Sequence, residues 1–193
     1  MDRHDAIFIH IPKAAGTSII KSLAGRSLPR DHASWHHFLQ VDKRRFYHYS
    51  KFTFVRNPWD RAVSLYNYLS NGGNQSSDLK FSQYFKEHRI TFEKFVMEYL
   101  NEYKIHEHIL LRPQYLFVCD DDLNLKVDYL GYFENIDHDF SNICKILGVK
   151  MELTKQNSSG KNQDYKEFYH SQELIERIEY LYLRDVELFN YSF

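Results

Sequence analysis

The chain has 193 residues, enough for one domain (1–193) with a substantial core. Its 25 Lys and Arg almost balance 26 Asp and Glu, for a formal net charge of -1, which excludes the global basic field expected of a nucleic-acid-binding protein. No apolar run approaches the ~20 residues of a transmembrane helix, and no signal peptide precedes Ile7. The two cysteines, Cys119 and Cys144, form no CxxC and sit in apolar surroundings, as reduced buried thiols do. These features predict a cytoplasmic protein; a piece of a longer chain would read the same.

In chain order, "IFIHI" (7–11) predicts a buried strand, and a helical pattern runs from Thr17 to about Leu23, ended by Gly25 and Pro29. "HASWHHFLQV" (32–41) predicts a helix with Ser34 as N-cap and Trp35, Phe38 and Leu39 on its apolar side. "KFTFV" (51–55) is a second strand that runs into a helix with Asn57 as cap and Pro58 in the first position. "NGGNQSSD" (71–78) reads as a polar loop and "TFEKFVMEYLNEY" (91–103) as one amphipathic helix. "YLFVC" (115–119) and "VDYLGYF" (127–133) read as strands around an acidic turn, and 139–148 as a helix closed by Gly148. "NSSGKNQ" (157–163) is a loop, and Ser171 to about Phe189 a long final helix. Strands separated by helices predict an α/β fold with a mostly parallel sheet. Aromatic residues are 17% of the chain, with 15 Tyr and 15 Phe, which predicts a core of many polar-tipped rings.

The chemistry concentrates in "HIPKAAGTS" (10–18), where a strand enters a turn and a helix opens. Gly16 allows close backbone approach, the free N–H groups of the helix start point outward, Thr17 and Ser18 add hydroxyl donors, and Lys13 adds a point charge. Together they describe an anion cradle. The lysine precedes the glycine, so the nucleoside-triphosphatase order GxxxxGK[ST] is absent. In a second block, Arg56 follows a strand and precedes a helix, so its guanidinium and the helix N-terminus form a second phosphate clamp.

These two blocks resemble the sulfotransferases that use 3′-phosphoadenosine 5′-phosphosulfate (PAPS), above all the carbohydrate sulfotransferases, whose first loop reads P-K-x-x-G-T-[ST]. The resemblance implies a P-loop-like three-layer fold in which Lys13, Ala14, Gly16, Thr17 and Ser18 hold the 5′-phosphosulfate. It implies that Arg56 and Ser64, eight residues apart, hold the 3′-phosphate. "HAS" (32–34) is similar to the H-x-S/T segment that carries the base in heparan sulfate 2-O-sulfotransferases, which makes His32 the candidate base and leaves His36 and His37 as competitors one helical turn away. "LRPQYL" (111–116) is similar to a Pro-Gln segment near the acceptor cleft of the Golgi enzymes, so Arg112 and Gln114 are candidates for contact with a hydroxyl-bearing, carbohydrate acceptor. Lys161 is a further candidate for the donor phosphates, and the closing Phe-x-Tyr-x-Phe is similar to the family's C-terminal pattern.

Other motifs are weaker. "HEH" (106–108) places two imidazoles two residues apart, on different sides of a helix, with no third ligand in view. "DDDLN" (120–124) starts like a calcium loop but has Leu125 and Gly131 where the loop needs glycine and glutamate. No metal is therefore expected. Two rival functions share the cradle: a P-loop kinase-like phosphotransferase, and a non-catalytic nucleotide- or glycan-binding module.

Overall fold

A computed structural model describes residues 4–25, 31–73, 76–153 and 164–193. The elements begin with strand β1 (Ala6–Ile9), helices α1 (Gly16–Ala24), α2 (Trp35–Val41) and α3 (Lys43–His48), and strand β2 (Ser50–Val55). Helices α4 (Pro58–Ser70), α5 (Ser76–Glu87) and α6 (Phe92–Lys94), a π-helical stretch (Phe95–Tyr99) and α7 (Glu102–Glu107) follow. Next come α8 (Tyr115–Val118), β3 (Tyr129–Tyr132), α9 (Ile136–Ile146), α10 (Gln172–Leu181) and α11 (Leu183–Leu188). They sort into two compact units, one made by Met1–Arg56 with Pro113–Asn157, the other by Asn57–Arg112 with Ser158–Phe193.

The first unit is built on a sheet of three parallel strands in the order β1-β2-β3, with Phe8 opposite Phe52 and Phe52 opposite Tyr129. Parallel neighbours cannot be joined by a hairpin, so the chain must cross over through helices, and these cover the sheet. Ala6, Phe8, Phe52 and Phe54 pack with Ile19, Ile20 and Leu23 of α1 and with Phe140, Ile143 and Cys144 of α9. The alternate residues Ile7, Ile9, Thr53 and Val55 are also buried. Burying one such large apolar side chain contributes about 1.5–3 kcal/mol, so these rings and branched chains carry the unit. This is the α/β architecture with a parallel sheet and flanking helices that the sequence predicts. Thr53 satisfies its buried hydroxyl by donating to the Ile9 carbonyl at 2.7 Å.

The second unit is helical. Trp59, Ala62, Val63, Leu65 and Leu69 of α4 form one cluster with Phe85, Phe92, Phe95, Leu174 and Ile178. Polar tips of its buried rings find carbonyls: Trp59 Nε1 donates to Ile175 at 3.0 Å, Tyr169 to Trp59 at 2.9 Å and Tyr182 to Leu111 at 2.8 Å. The expected core of polar-tipped rings is found here.

Four expectations are corrected. Residues 115–118 are helical and not a strand, with Cys119 making only an isolated bridge to Leu125. The single helix expected over 91–103 is three pieces, because Leu100 turns extended (ψ 127°) and Asn101 caps a new helix. The final helix breaks at Tyr182 (φ -116°). The polar loop at 71–78 ends early, since α5 begins at Ser76. Pro29 and the loop at 157–163 lie outside the described residues.

Candidate functional site

The turn after β1 holds two non-glycine residues in the left-handed region, Lys13 (φ 67°) and Ala15 (φ 62°). Such residues cost about 1–3 kcal/mol each and persist where the surrounding structure holds them. Alanine occupies the cap position of α1 and offers no side-chain acceptor, whereas α3, α4 and α7 are capped by Asp42, Asn57 and Asn101. The first α1 amides to bond back are Ser18 and Ile19, both to the Ala15 carbonyl. The first turn of α1 contains no acidic residue. Lys13, Thr17 and Ser18 are half-buried around this helix start, so the donor set is all cationic or N–H and O–H and fits an anion.

Gly16 serves a purpose the sequence did not suggest. A Cβ there would lie 1.8 Å from His10 Cδ2 and 2.0 Å from its Nε2, so the missing side chain makes room for a buried imidazole. His10 stacks on Phe8 at 5.8 Å and lies 4.4 Å, centroid to centroid, from the His32 ring. His32 Nδ1 is 3.1 Å from the His10 carbonyl. A carbonyl only accepts, so Nδ1 carries the proton of this bond, and in the neutral ring Nε2 is then the accepting nitrogen. His36 and His37 are exposed on α2.

Arg56 is turned toward the Lys13 turn. Its Nη1 donates to the Lys13 carbonyl at 3.1 Å, and its guanidinium lies over the Phe133 ring at 3.9 Å. Gln114 clamps the Arg56 main chain on both sides: Oε1 accepts from Arg56 N at 2.9 Å and Nε2 donates to Arg56 O at 2.8 Å. Sequence similarity put Gln114 at the acceptor. The structure buries it completely, with both amide ends engaged by the Arg56 main chain. The structure thus brings His10 against both the Gly16 position and the His32 ring, and joins the Arg56 side chain to the Lys13 carbonyl. Ser64 lies half-buried on α4 in the second unit. Arg112, in the same unit, donates to the His106 carbonyl at 3.4 Å. Ala14 is buried between Lys13 and Ala15, and Lys161 lies outside the described residues. Sequence reasoning missed His10 and Phe133, each a single ring in or beside an apolar strand.

A sequence profile described as the sulfotransferase family matches residues 1–192. The chain belongs to the sulfotransferase family. The sulfotransferase is also 29% identical over 129 residues to an uncharacterised protein of Archaeoglobus fulgidus, across 66% of this chain and 91% of the relative. Membership makes it a transferase of sulfur-containing groups.

The weaker motifs of this sulfotransferase have structural explanations. Asp120 accepts from the Asp122 and Asn124 amides and pairs with Lys126, which holds its carboxyl below the usual carboxylate range. His108 packs against Phe81, and burial pushes its pKa down. Among the described residues no group of His, Cys, Asp and Glu has the arrangement of a metal site, and no helix is long and apolar enough to cross a membrane.

Proposed function

We propose that this sulfotransferase moves a sulfuryl group from PAPS to a hydroxyl of a carbohydrate acceptor, and that residues 1–193 work as one domain. The observation that carries the reading is the bond from Arg56 Nη1 to the Lys13 carbonyl, which joins the two blocks that the family resemblance assigns to the two ends of the donor. Lys13, the α1 amides, Thr17 and Ser18 are assigned to the 5′-phosphosulfate, and Arg56 and Ser64, with Lys161 as a further candidate, to the 3′-phosphate. PAPS supplies an activated sulfuryl group on a phosphate leaving group.

His32 Nε2 takes the proton of the acceptor hydroxyl while Nδ1–H stays on the His10 carbonyl. The acceptor oxygen bonds to sulfur as the sulfur–oxygen bond to phosphate breaks, and Lys13 with the α1 amides receives the charge that collects on the departing phosphate. Positioning and electrostatics dominate, as in phosphoryl transfer. Arg112 is assigned to the acceptor side.

The test is a transfer assay with sulfur-labelled PAPS over oligosaccharides, glycolipids and phenols, with mass spectrometry of the product. Label on a saccharide hydroxyl is expected. In a thermal-shift competition, adenosine 3′,5′-bisphosphate should stabilise the protein more than ATP does; the reverse would favour a kinase-like phosphotransferase. Bisphosphate binding with no transfer to any acceptor would favour a non-catalytic binding module.

A further inference from the structure

The His10 ring takes no part in the chemistry proposed above, yet it touches both halves of it. The residue follows β1, is 5% exposed, and is fixed from one side by the Phe8 ring, which lies nearly parallel to it at 17°. Its edge fills the place where any other residue at position 16 would put a Cβ, 1.8 Å from Cδ2. Real contacts of that kind are near van der Waals distance, so the imidazole and the first residue of α1 cannot shift independently. The His32 ring rests 4.4 Å away, and the His10 carbonyl holds the His32 Nδ1–H. One residue therefore sets the depth of the anion turn through its ring, the tautomer of the His32 imidazole through its main-chain carbonyl, and the position of that imidazole through the ring contact.

We propose that His10 is a positioning residue that locks the Lys13–Ser18 turn and the His32 imidazole into one rigid unit, an inference that rests on His32 being the base. The ring and the glycine are matched: the chain has no side chain at 16 because it has an imidazole at 10. Misplacing a reacting group by about 1 Å can cost ~100-fold in rate, which is the scale on which such a lock matters.

The experiment is a double-mutant cycle of His10→Ala and Gly16→Ala in the full chain, read in three ways. In ligand-free protein, Gly16→Ala should lower the thermal midpoint clearly beside His10 but little or not at all beside Ala, because the added methyl then enters vacated space. The His32 ring should give one sharp set of NMR signals in the parent and signals broadened by exchange between orientations in His10→Ala, where the main-chain acceptor of Nδ1–H remains but the ring contact is gone. Turnover should fall ~10-fold or more in His10→Ala, and steady-state rates give that number. If His10→Ala does not fold, His10→Asn, smaller but still planar and polar, takes its place in the cycle. Additive midpoints, or a His32 ring as sharply ordered in His10→Ala as in the parent, would overturn the proposal. If the midpoint coupling and the loss of His32 order appear in a protein that transfers no sulfuryl group, the lock stands and the reading of function fails.

Discussion

His32 donates Nδ1–H to a main-chain carbonyl at 3.1 Å, and this leaves Nε2 as the only ring nitrogen that can accept a proton from an acceptor hydroxyl. In the proposed mechanism the base is needed for chemistry but hardly touches the donor, so His32→Ala should cut turnover ~100-fold or more with bisphosphate affinity almost unchanged. Lys13→Ala should lower both, because in the same proposal its charge meets the anion before and during transfer. Single-turnover rates and calorimetry separate the two, and loss of turnover in His36→Ala or His37→Ala instead would move the base onto α2. Arg56→Ala should weaken adenosine 3′,5′-bisphosphate by ~2 kcal/mol or more and adenosine 5′-phosphosulfate, which lacks the 3′-phosphate, far less. Equal losses for the two ligands in calorimetry would show that Arg56 does not read the 3′-phosphate. Lys13 and Arg56 were legible because each is a charged residue at a strand-to-helix turn. His10 was not, since a polar residue in an apolar run reveals its partner only when residue 16 is brought against it.

At the scale of elements, α4 shows how a short signal fixes a boundary. Asn57 Oδ1 accepts from the Trp59 amide at 3.0 Å and the Asp60 amide at 3.4 Å, Pro58 takes the first position, and Asn57 Nδ2 donates to the Ser192 carbonyl at 2.9 Å. Asn57→Ala should cost about 1–2 kcal/mol by denaturant unfolding, and Asn57→Ser, which keeps a cap acceptor and sets no charge against the Ser192 carbonyl, clearly less. Capping chemistry of this kind is local and was readable at Asn57; Ser34 takes the cap position of α2 without a side-chain cap bond, and Asn101 carries the signal inside a longer apolar pattern that suggested one helix. The run 115–119 was misread because four or five apolar residues have the same periodicity in a buried strand and a buried helix. The break at Tyr182 has no glycine or proline to announce it. There the buried Tyr182 hydroxyl on the Leu111 carbonyl holds the chain, a contact made 71 residues away in sequence.

At the scale of the whole molecule, the aromatic content sets an alkaline limit. Burial, with the neighbouring Tyr84 and Glu107 charges, pushes Tyr99 from 10.0 up to about 12, and burial pushes Tyr169 and Tyr182 up as well. A phenol whose pKa is raised by folding stays protonated in the folded chain while the unfolded chain has already lost its proton. Its stabilising effect is therefore complete below the unfolded value of 10.0 and is lost as pH rises toward about 12. Thermal midpoints should be flat just below that window and fall through it, and Tyr99→Phe should fall less steeply. The parallel sheet and its helices were legible from the alternation of apolar runs, since the runs themselves carry the burial. The two-unit division was not, because each unit is assembled from segments that are distant in sequence.

The chain has two tryptophans, and the fold gives one to each unit. Trp35 is half-buried, with Nε1 on the Cys119 carbonyl at 2.7 Å and the Lys126 ammonium 5.7 Å from its ring. Trp59 is 1% exposed in an apolar cluster. Emission depends on polarity and nearby charge, so the two indoles should differ in colour, the deeply buried one emitting further to the blue. Trp35→Phe and Trp59→Phe then turn the protein into a pair of single-reporter versions of itself. Followed in urea, coincident emission curves from the two would mean that residues 1–193 melt as one cooperative body, and separated curves would give each unit a stability of its own.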